Sequence, residues 1–175
     1  LLDKKISVRF LNNTNKKTRD ILYFKGLLKN RDTLHVFVNH WPSKYGGAIA
    51  TIPFRAQAAR TLKKHTDSLL ALNPNAKIVI TGDFNDEPSE ESLVKHLEAT
   101  KNMNNKLVNL SAMVENKNIG THRYQGQWSI IDQFIVSKSV LDSTGQTYTN
   151  ANYLKIGVAD FLFENDTKYA GKKPY

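Results

Sequence analysis

A chain of 175 residues with 40 % hydrophobic and 10 % aromatic side chains is long enough for one domain with a sizeable core. No run approaches the roughly 20 apolar residues that cross a bilayer, and the absence of cysteine excludes disulfides, thiolate zinc sites and cysteine nucleophiles. A net charge of +9 and a pI near 9.6 fit either a lysine-rich soluble surface or attraction to an anionic substrate such as a nucleic acid or a phosphate ester.

From the N-terminus, Leu1-Leu2-Asp3-Lys4-Lys5 has no apolar signal-peptide core. So abrupt a start also suits a piece of a longer chain, so cytoplasmic and exported destinations both stay open. Ile6 to Leu11 alternates weakly and reads as a short edge strand, followed by a polar turn at Asn12 to Lys17. Arg19 to Leu28 and Thr33 to Asn39 are apolar runs of strand length separated by Lys29-Asn30-Arg31-Asp32, which is hairpin grammar. The period changes over Arg55 to Leu72, where Ala58, Leu62, Leu69 and Leu70 share one helical face. Pro53 stands before that helix, and Asn73-Pro74 marks its stop. Lys77 to Thr81 reads as a buried strand ending at Gly82, and Glu90 to Ala99 as a short helix capped by Pro88-Ser89. Trp128 to Val136 is a strongly apolar strand, with Tyr153 to Val158 a further candidate. Strands outnumber helices, and hairpins mix with helical crossovers, which predicts an α+β sandwich with helices outside sheets.

Three segments carry chemistry. Gly82-Asp83-Phe84-Asn85-Asp86 leaves the strand Ile78-Val79-Ile80, so a carboxylate and a carboxamide two residues apart project from one rim of a sheet. One can orient a water or a metal while the other donates to a phosphate oxygen. An EF-hand calcium loop also opens with Asp-x-Asn, but Glu87 and Pro88 occupy the fifth and sixth positions, where it needs Asp or Asn and then Gly. Asn39-His40-Trp41-Pro42-Ser43 places a histidine at a strand tip, fit for proton donation or phosphate binding. Asp132 shares a strand face with Ile130, Phe134 and Val136, where an unpaired carboxylate costs several kcal/mol. It therefore calls for a partner, a histidine held in one tautomer or a backbone group. His35, His65, His96 and His122 fall inside a strand, two helices and a loop and suggest no role.

In this order the three segments resemble the endonuclease/exonuclease/phosphatase family, whose fold is that of deoxyribonuclease I. Gly82-Asp83-Phe84-Asn85-Asp86 resembles its Gly-Asp-Phe-Asn signature, Asn39 to Ser43 its histidine motif, and Trp128 to Gln133 the strand bearing a further acidic residue. Thr18-Arg19-Asp20, Gly46-Gly47, Arg55 with Ala58-Ala59, and Gly120-Thr121 join the match. The resemblance implies a four-layer α/β/β/α sandwich, of which residues 1–175 would be the C-terminal part of the domain, incomplete at both ends. It implies a metal-dependent phosphoester hydrolase in which water attacks phosphorus in line, with Mg²⁺ or Mn²⁺ neutralising charge.

In that reading His40 binds phosphate or protonates the leaving oxygen, Asp83 orients the attacking water, Asn85 steadies the phosphorus, and Asp132 holds a catalytic histidine. Asp83 and Asn85 would be metal ligands, and Asn39, Arg19 and Trp128 would touch substrate. The substrate is a phosphoester, with nucleic acid, phosphoinositide, sphingomyelin and nucleotide all within the family, and no obligate protein partner is implied. The family's asparagine and glutamate ligands have no counterpart before Ile6, and its closing Ser-Asp-His motif has none before Tyr175. Weak metal binding by these 175 residues is therefore expected, and a catalytically inactive anion-binding module that keeps the fold is the alternative.

Overall fold

A computed structural model describes residues 2–9, 18–114 and 118–174. β1 (Leu2–Ile6), β2 (Ile21–Leu27) and β3 (Thr33–His40) run antiparallel in series. Helix α1 (Ala48–Leu72) then crosses over to β4 (Lys77–Asp83), which lies parallel to β3 as such a crossover allows. β5 (Ala99–Thr100), β6 (Leu107–Asn109) and β9 (Asp132–Ser137) complete a seven-stranded mixed sheet in the order β1-β2-β3-β4-β9-β6-β5. Two separate pairs stand outside it, β7 (His122–Tyr124) with β8 (Gln127–Ser129) and β10 (Phe163–Asn165) with β11 (Lys172–Pro174). The chain is α+β, as expected. Among the described residues it supplies one large sheet and one helical layer of the four-layer sandwich.

The sheet is held by alternation. Tyr23, Phe37, Ile80 and Ile135 lie side by side in the registers of β2, β3, β4 and β9, and all face α1. There they meet Ala58, Ala59 and Leu62, each 0–1 % exposed. Burying a side chain the size of Phe37, Ile80, Ile135 or Leu62 contributes on the order of 1.5–3 kcal/mol. On the opposite face Val108, Leu110, Val136 and Val140 form a second cluster with Val79, Phe134 and Leu154. Further along that face, towards β2, Val38 is left exposed.

Local structure departs from the sequence pattern in several places. α1 begins at Ala48 rather than Arg55, with Pro53 inside it. Proline there forfeits one amide bond early in the helix, and the first turn is braced by the Thr51 hydroxyl donating to Gly47 and Ala48 carbonyls. The short helix expected over Glu90 to Ala99 is a π-helical turn, Ser92–Leu97. Trp128 to Val136 is two strands, because the chain breaks step at Ile130-Ile131 between β8 and β9, which belong to different sheets. Tyr153 to Val158 forms no strand, only the end of a 3-10 turn and irregular chain. The edge strand ends at Ile6 rather than starting there, and the turn at 12–17 lies outside the described residues.

Gly82 fixes how closely β3 and β4 approach at their ends. Its φ is 121°, and a Cβ there would collide with the Asn39 backbone carbonyl. Gly46 has φ 90° but opens on empty space. Gly82→Ala should therefore cost about 2 kcal/mol or more of stability and Gly46→Ala about 1 kcal/mol, read as shifts of the urea midpoint. Equal losses would show that backbone conformation alone, and not the close approach, governs Gly82.

Candidate active site

The tips of three adjacent strands meet at one rim. His40 ends β3 and pairs in register with Asp83 at the end of β4, and Asp83 pairs with Asp132 at the start of β9. The sequence-predicted histidine and both acidic residues thus stand in one row. His40 Nε2 lies 3.6 Å from Asp83 Oδ2, with both side chains partly open to solvent. A strand tip suits this chemistry because the side chains face water while the backbone behind them stays paired.

The two motifs lock into each other. The Trp41 amide donates to the Asp83 carbonyl at 2.9 Å, and the Asn85 side-chain amide donates to the Trp41 carbonyl at 3.0 Å. The Asp83 carboxylate accepts the Asn85 backbone N–H at 2.7 Å through Oδ1. That bond holds Asn85 at φ 51°, a left-handed conformation asparagine tolerates better than most residues. Trp41 and Phe84 are fully buried with ring centres 4.4 Å apart, so the polar tips rest on an aromatic floor. Asn39 is buried too: it accepts from the Trp41 indole at 3.0 Å and donates to the carbonyls of Phe37 and Thr81. Its carboxamide is committed to the scaffold, which places Asn39 behind the site rather than in contact with a substrate.

Asp132 is exposed, in contrast to the buried setting its apolar neighbours suggest, because the break at Ile130-Ile131 makes it the first residue of β9. Its partner is Thr121. The Thr121 hydroxyl oxygen accepts the backbone N–H of both Ile131 and Asp132 at 3.1 Å, and the hydroxyl also bonds the Asp132 carboxylate. Desolvation by the surrounding atoms pushes the Asp132 carboxyl above the usual range, the Thr121 bond pulls it back, and the charge of Asp83 raises it.

Behind the rim, Arg55 of α1 and Asp86 form a buried ion pair, Nε to Oδ1 at 2.7 Å. The contact is an ion pair rather than an aligned hydrogen bond, since neither atom has a hydrogen-bond partner. The other Asp86 oxygen accepts from the Ser92 hydroxyl at 2.6 Å, and the Asp86 carbonyl accepts from Gln133 at 3.0 Å. Asp86 thus ties α1, the π-helical turn and β9 to the loop that carries Asp83 and Asn85.

Beside the row opens a cleft of about 780 Å³ between the loop before α1 and the β7–β8 hairpin. Lys44, Asn85, His122, Tyr124 and Trp128 line it. Trp128, expected at the substrate, also packs edge-on to Phe163 at 6.0 Å and under the Arg123 guanidinium at 5.8 Å. Arg19 is exposed two residues before β2, at the end of that strand which lies by the His40 end of β3. Of the expected metal ligands, Asp83 and Asn85 offer a carboxylate and a carboxamide oxygen. Among the described residues no three His, Asp or Glu side chains gather into a metal-holding group. Mg²⁺ takes six oxygens in near-octahedral geometry, commonly one or two carboxylates beside waters and substrate phosphate, so Asp83 and Asn85 would supply the protein's share of such a shell.

Residues 2–174 match the sequence profile of the Endonuclease/Exonuclease/phosphatase family. The chain belongs to this family. Members of the family generally use divalent metal ions. Among solved structures, truncated TDP2 of Caenorhabditis elegans is similar at 16 % identity and a TM-score of 0.56, over 78 % of this chain and 52 % of that one. The human Nocturnin catalytic domain with bound sulfate anion matches at 17 % identity and 0.51, over 79 % and 47 %. TDP2 of D. rerio complexed with single strand DNA product matches at 10 % identity and 0.50, over 78 % and 52 %. The chain spans about half the length of these relatives, and at such identities the likeness is one of fold. No curated protein sequence matches. Among the described residues no helix is long and apolar enough to cross a membrane.

Within this family frame the sequence pattern left Thr121, His122, Asp86 and Gln133 without roles. Thr121 had a signal, since Gly120-Thr121 belongs to the family match. His122 had none, because its neighbours in space come from other elements. Thr121→Val would remove the bond that lowers the Asp132 pKa, so the Asp132 carboxyl should titrate higher still, measured by ¹³C NMR of the side-chain carboxyl. A raised native pKa favours the protonated form, so the stability it contributes is present below the ordinary carboxylate range and lost as pH rises through the native value. The stability deficit of the variant should accordingly grow as pH rises across that range; a deficit independent of pH would contradict the coupling.

Proposed function

We propose that this protein hydrolyses phosphoesters, as a nuclease- or phosphatase-type enzyme, by in-line attack of water on phosphorus. The observation that carries this reading is the row of His40, Asp83 and Asp132 on three neighbouring strand tips, with Asn85 beside it. Asp83 orients the attacking water and draws off its proton. His40, within ion-pair distance of Asp83, donates to a phosphoryl oxygen or to the departing alkoxide. Asn85, its side chain aimed by the Trp41 carbonyl, steadies the phosphoryl group as charge builds on it. Asp132, held by Thr121, keeps the far end of the row in place.

The family's divalent ion, Mg²⁺ or Mn²⁺, would be held in part by Asp83 and Asn85 and would neutralise charge on the phosphoryl group; the roles above are those of the side chains. A second reading, favoured because no three His, Asp or Glu side chains gather among the described residues, is an anion-binding module that keeps the fold without turnover. The net charge of +9 suits an anionic polymer, and the similarly folded D. rerio TDP2, complexed with single strand DNA product, makes nucleic acid the first substrate to try.

The test is turnover of bis(4-nitrophenyl) phosphate and a single-stranded oligonucleotide with Mg²⁺ or Mn²⁺ in the buffer. Asp83→Ala and His40→Ala should each lower kcat by about two orders of magnitude, the scale for losing a positioned acid–base or charge-stabilising group. His65→Gln and His96→Gln should leave it nearly unchanged. Phosphate binding without any turnover would favour the binding module, and equal losses from all four substitutions would remove the roles assigned here.

A further inference from the structure

His122 has no counterpart in the motifs that identify the family, yet the fold carries it to the catalytic rim. The β7–β8 hairpin is fastened to the tip of β9: the Thr121 amide donates to the Ser129 carbonyl at 3.0 Å, and the Thr121 hydroxyl takes the amides of Ile131 and Asp132. His122 follows immediately and faces Ser129 across the hairpin. The Ser129 hydroxyl lies 3.5 Å from His122 Nδ1, a long contact that settles that edge of the ring on the hairpin and leaves Nε2 for another partner. The side chain is exposed and stands in the wall of the cleft that also exposes Asn85.

Charge decides what such a group can do there. The rim presents two neighbouring carboxylates, Asp83 and Asp132, which by themselves repel a phosphate. The cleft's lysine is already spent, since Lys44 lies 3.2 Å from Glu90 and 3.5 Å from Asp86. Arg55 is consumed by Asp86 and buried. Glu87 and Glu90 line the same cleft and add negative charge. Besides Arg19, exposed by the His40 end, the imidazoles remain, His40 beside Asp83 and His122 towards Asp132, where its charge is felt by that carboxylate. Strand order β3-β4-β9 sets His40, Asp83 and Asp132 in one row, and the hairpin fastened to β9 through Thr121 brings His122 towards its Asp132 end.

We infer that His122 is a second imidazole of the site, contacting a non-bridging oxygen of the phosphoryl group at Asn85 from the end of the row opposite His40. The inference rests on the phosphoester reading and adds to it a substrate-contacting residue. Two imidazoles flanking two carboxylates offset the repulsion that either carboxylate exerts on the incoming phosphate. Because His122 lies on the hairpin and not on the large sheet, the contact also makes the placing of β7 and β8 part of phosphate recognition.

The experiment titrates inorganic phosphate into ¹⁵N-labelled protein at constant pH and follows the imidazole resonances of His40 and His122. Both should move along one saturation curve. His122→Gln, at an exposed position where the fold is checked by the amide spectrum, should weaken phosphate binding about tenfold, the equivalent of roughly 1.4 kcal/mol. It should lower kcat/KM for bis(4-nitrophenyl) phosphate at least as much, with His122→Lys recovering part of the phosphate affinity. A titration that moves His40 while His122 stays still, with kcat/KM unchanged in His122→Gln, overturns the inference and leaves the phosphoester reading standing. A titration that moves neither ring, together with turnover indifferent to Asp83→Ala, overturns the reading itself.

Discussion

The buried pair between Arg55 and Asp86 is the constraint on which the rim depends. Removing two charges from water is costly, and a pair in the interior persists only when each member answers the other. Here the answer also positions the loop at the rim. Asp86 follows Asn85 directly, so the loop that carries Asp83 and Asn85 cannot swing without pulling a carboxylate away from a guanidinium that has lost its hydration. Arg55 in turn is braced within its own helix, donating to the Thr51 hydroxyl at 2.8 Å and reaching the Ala48 carbonyl at 3.4 Å. The early start of α1, across Pro53, supplies those two partners.

Around that anchor the mixed sheet divides the work. Parallel pairing of β3 with β4 brings two strand ends to the same rim, so His40 and Asp83 arrive together. Antiparallel pairing of β4 with β9 brings in the beginning of a strand at the same level, and Asp132 joins them. The buried residues three positions from the rim, Phe37, Ile80 and Ile135, hold these three strands level against α1. On the outer flank, Arg123 binds Asp166 at 2.9 Å and the Lys172 carbonyl at 3.1 Å, which ties the β7–β8 hairpin to the β10–β11 pair. The hairpin near the cleft is thus held from both sides.

Much of this was legible in the sequence because it is local. A run such as Lys77 to Thr81 declares a buried strand by its β-branched residues, and the polar residues straight after it fall at the strand end. Hence His40, Asp83 and Asn85 could be assigned to a rim before any coordinates. Asp132 was located on the right strand but misjudged in depth. The break at Ile130-Ile131 is imposed from a distance, by the Phe84 amide donating to Ile131 and by Thr121, and alternation carries no trace of either. Asn39 was placed at the right strand end, though its commitment to Trp41 and Thr81 depends on a strand more than forty residues away. Arg55 and Asp86 are likewise far apart in the chain, and no periodicity links a helical arginine to a loop aspartate.

The row of strand tips has a further consequence, for lineages of this chain. Side chains alternate across a strand, so adding or deleting one residue within β3, β4 or β9 turns every later side chain to the other face. Such a change would point Asp83 or His40 into the aromatic floor or out of the row, however conservative the inserted residue. Length variation among descendants should therefore collect where no register is at stake, as in the exposed turn at 101–105 between β5 and β6 and the irregular stretch at 141–150 after β9. Gaps in those segments would be silent for the rim, and a gap inside one of the three strands would mark a copy that had abandoned it.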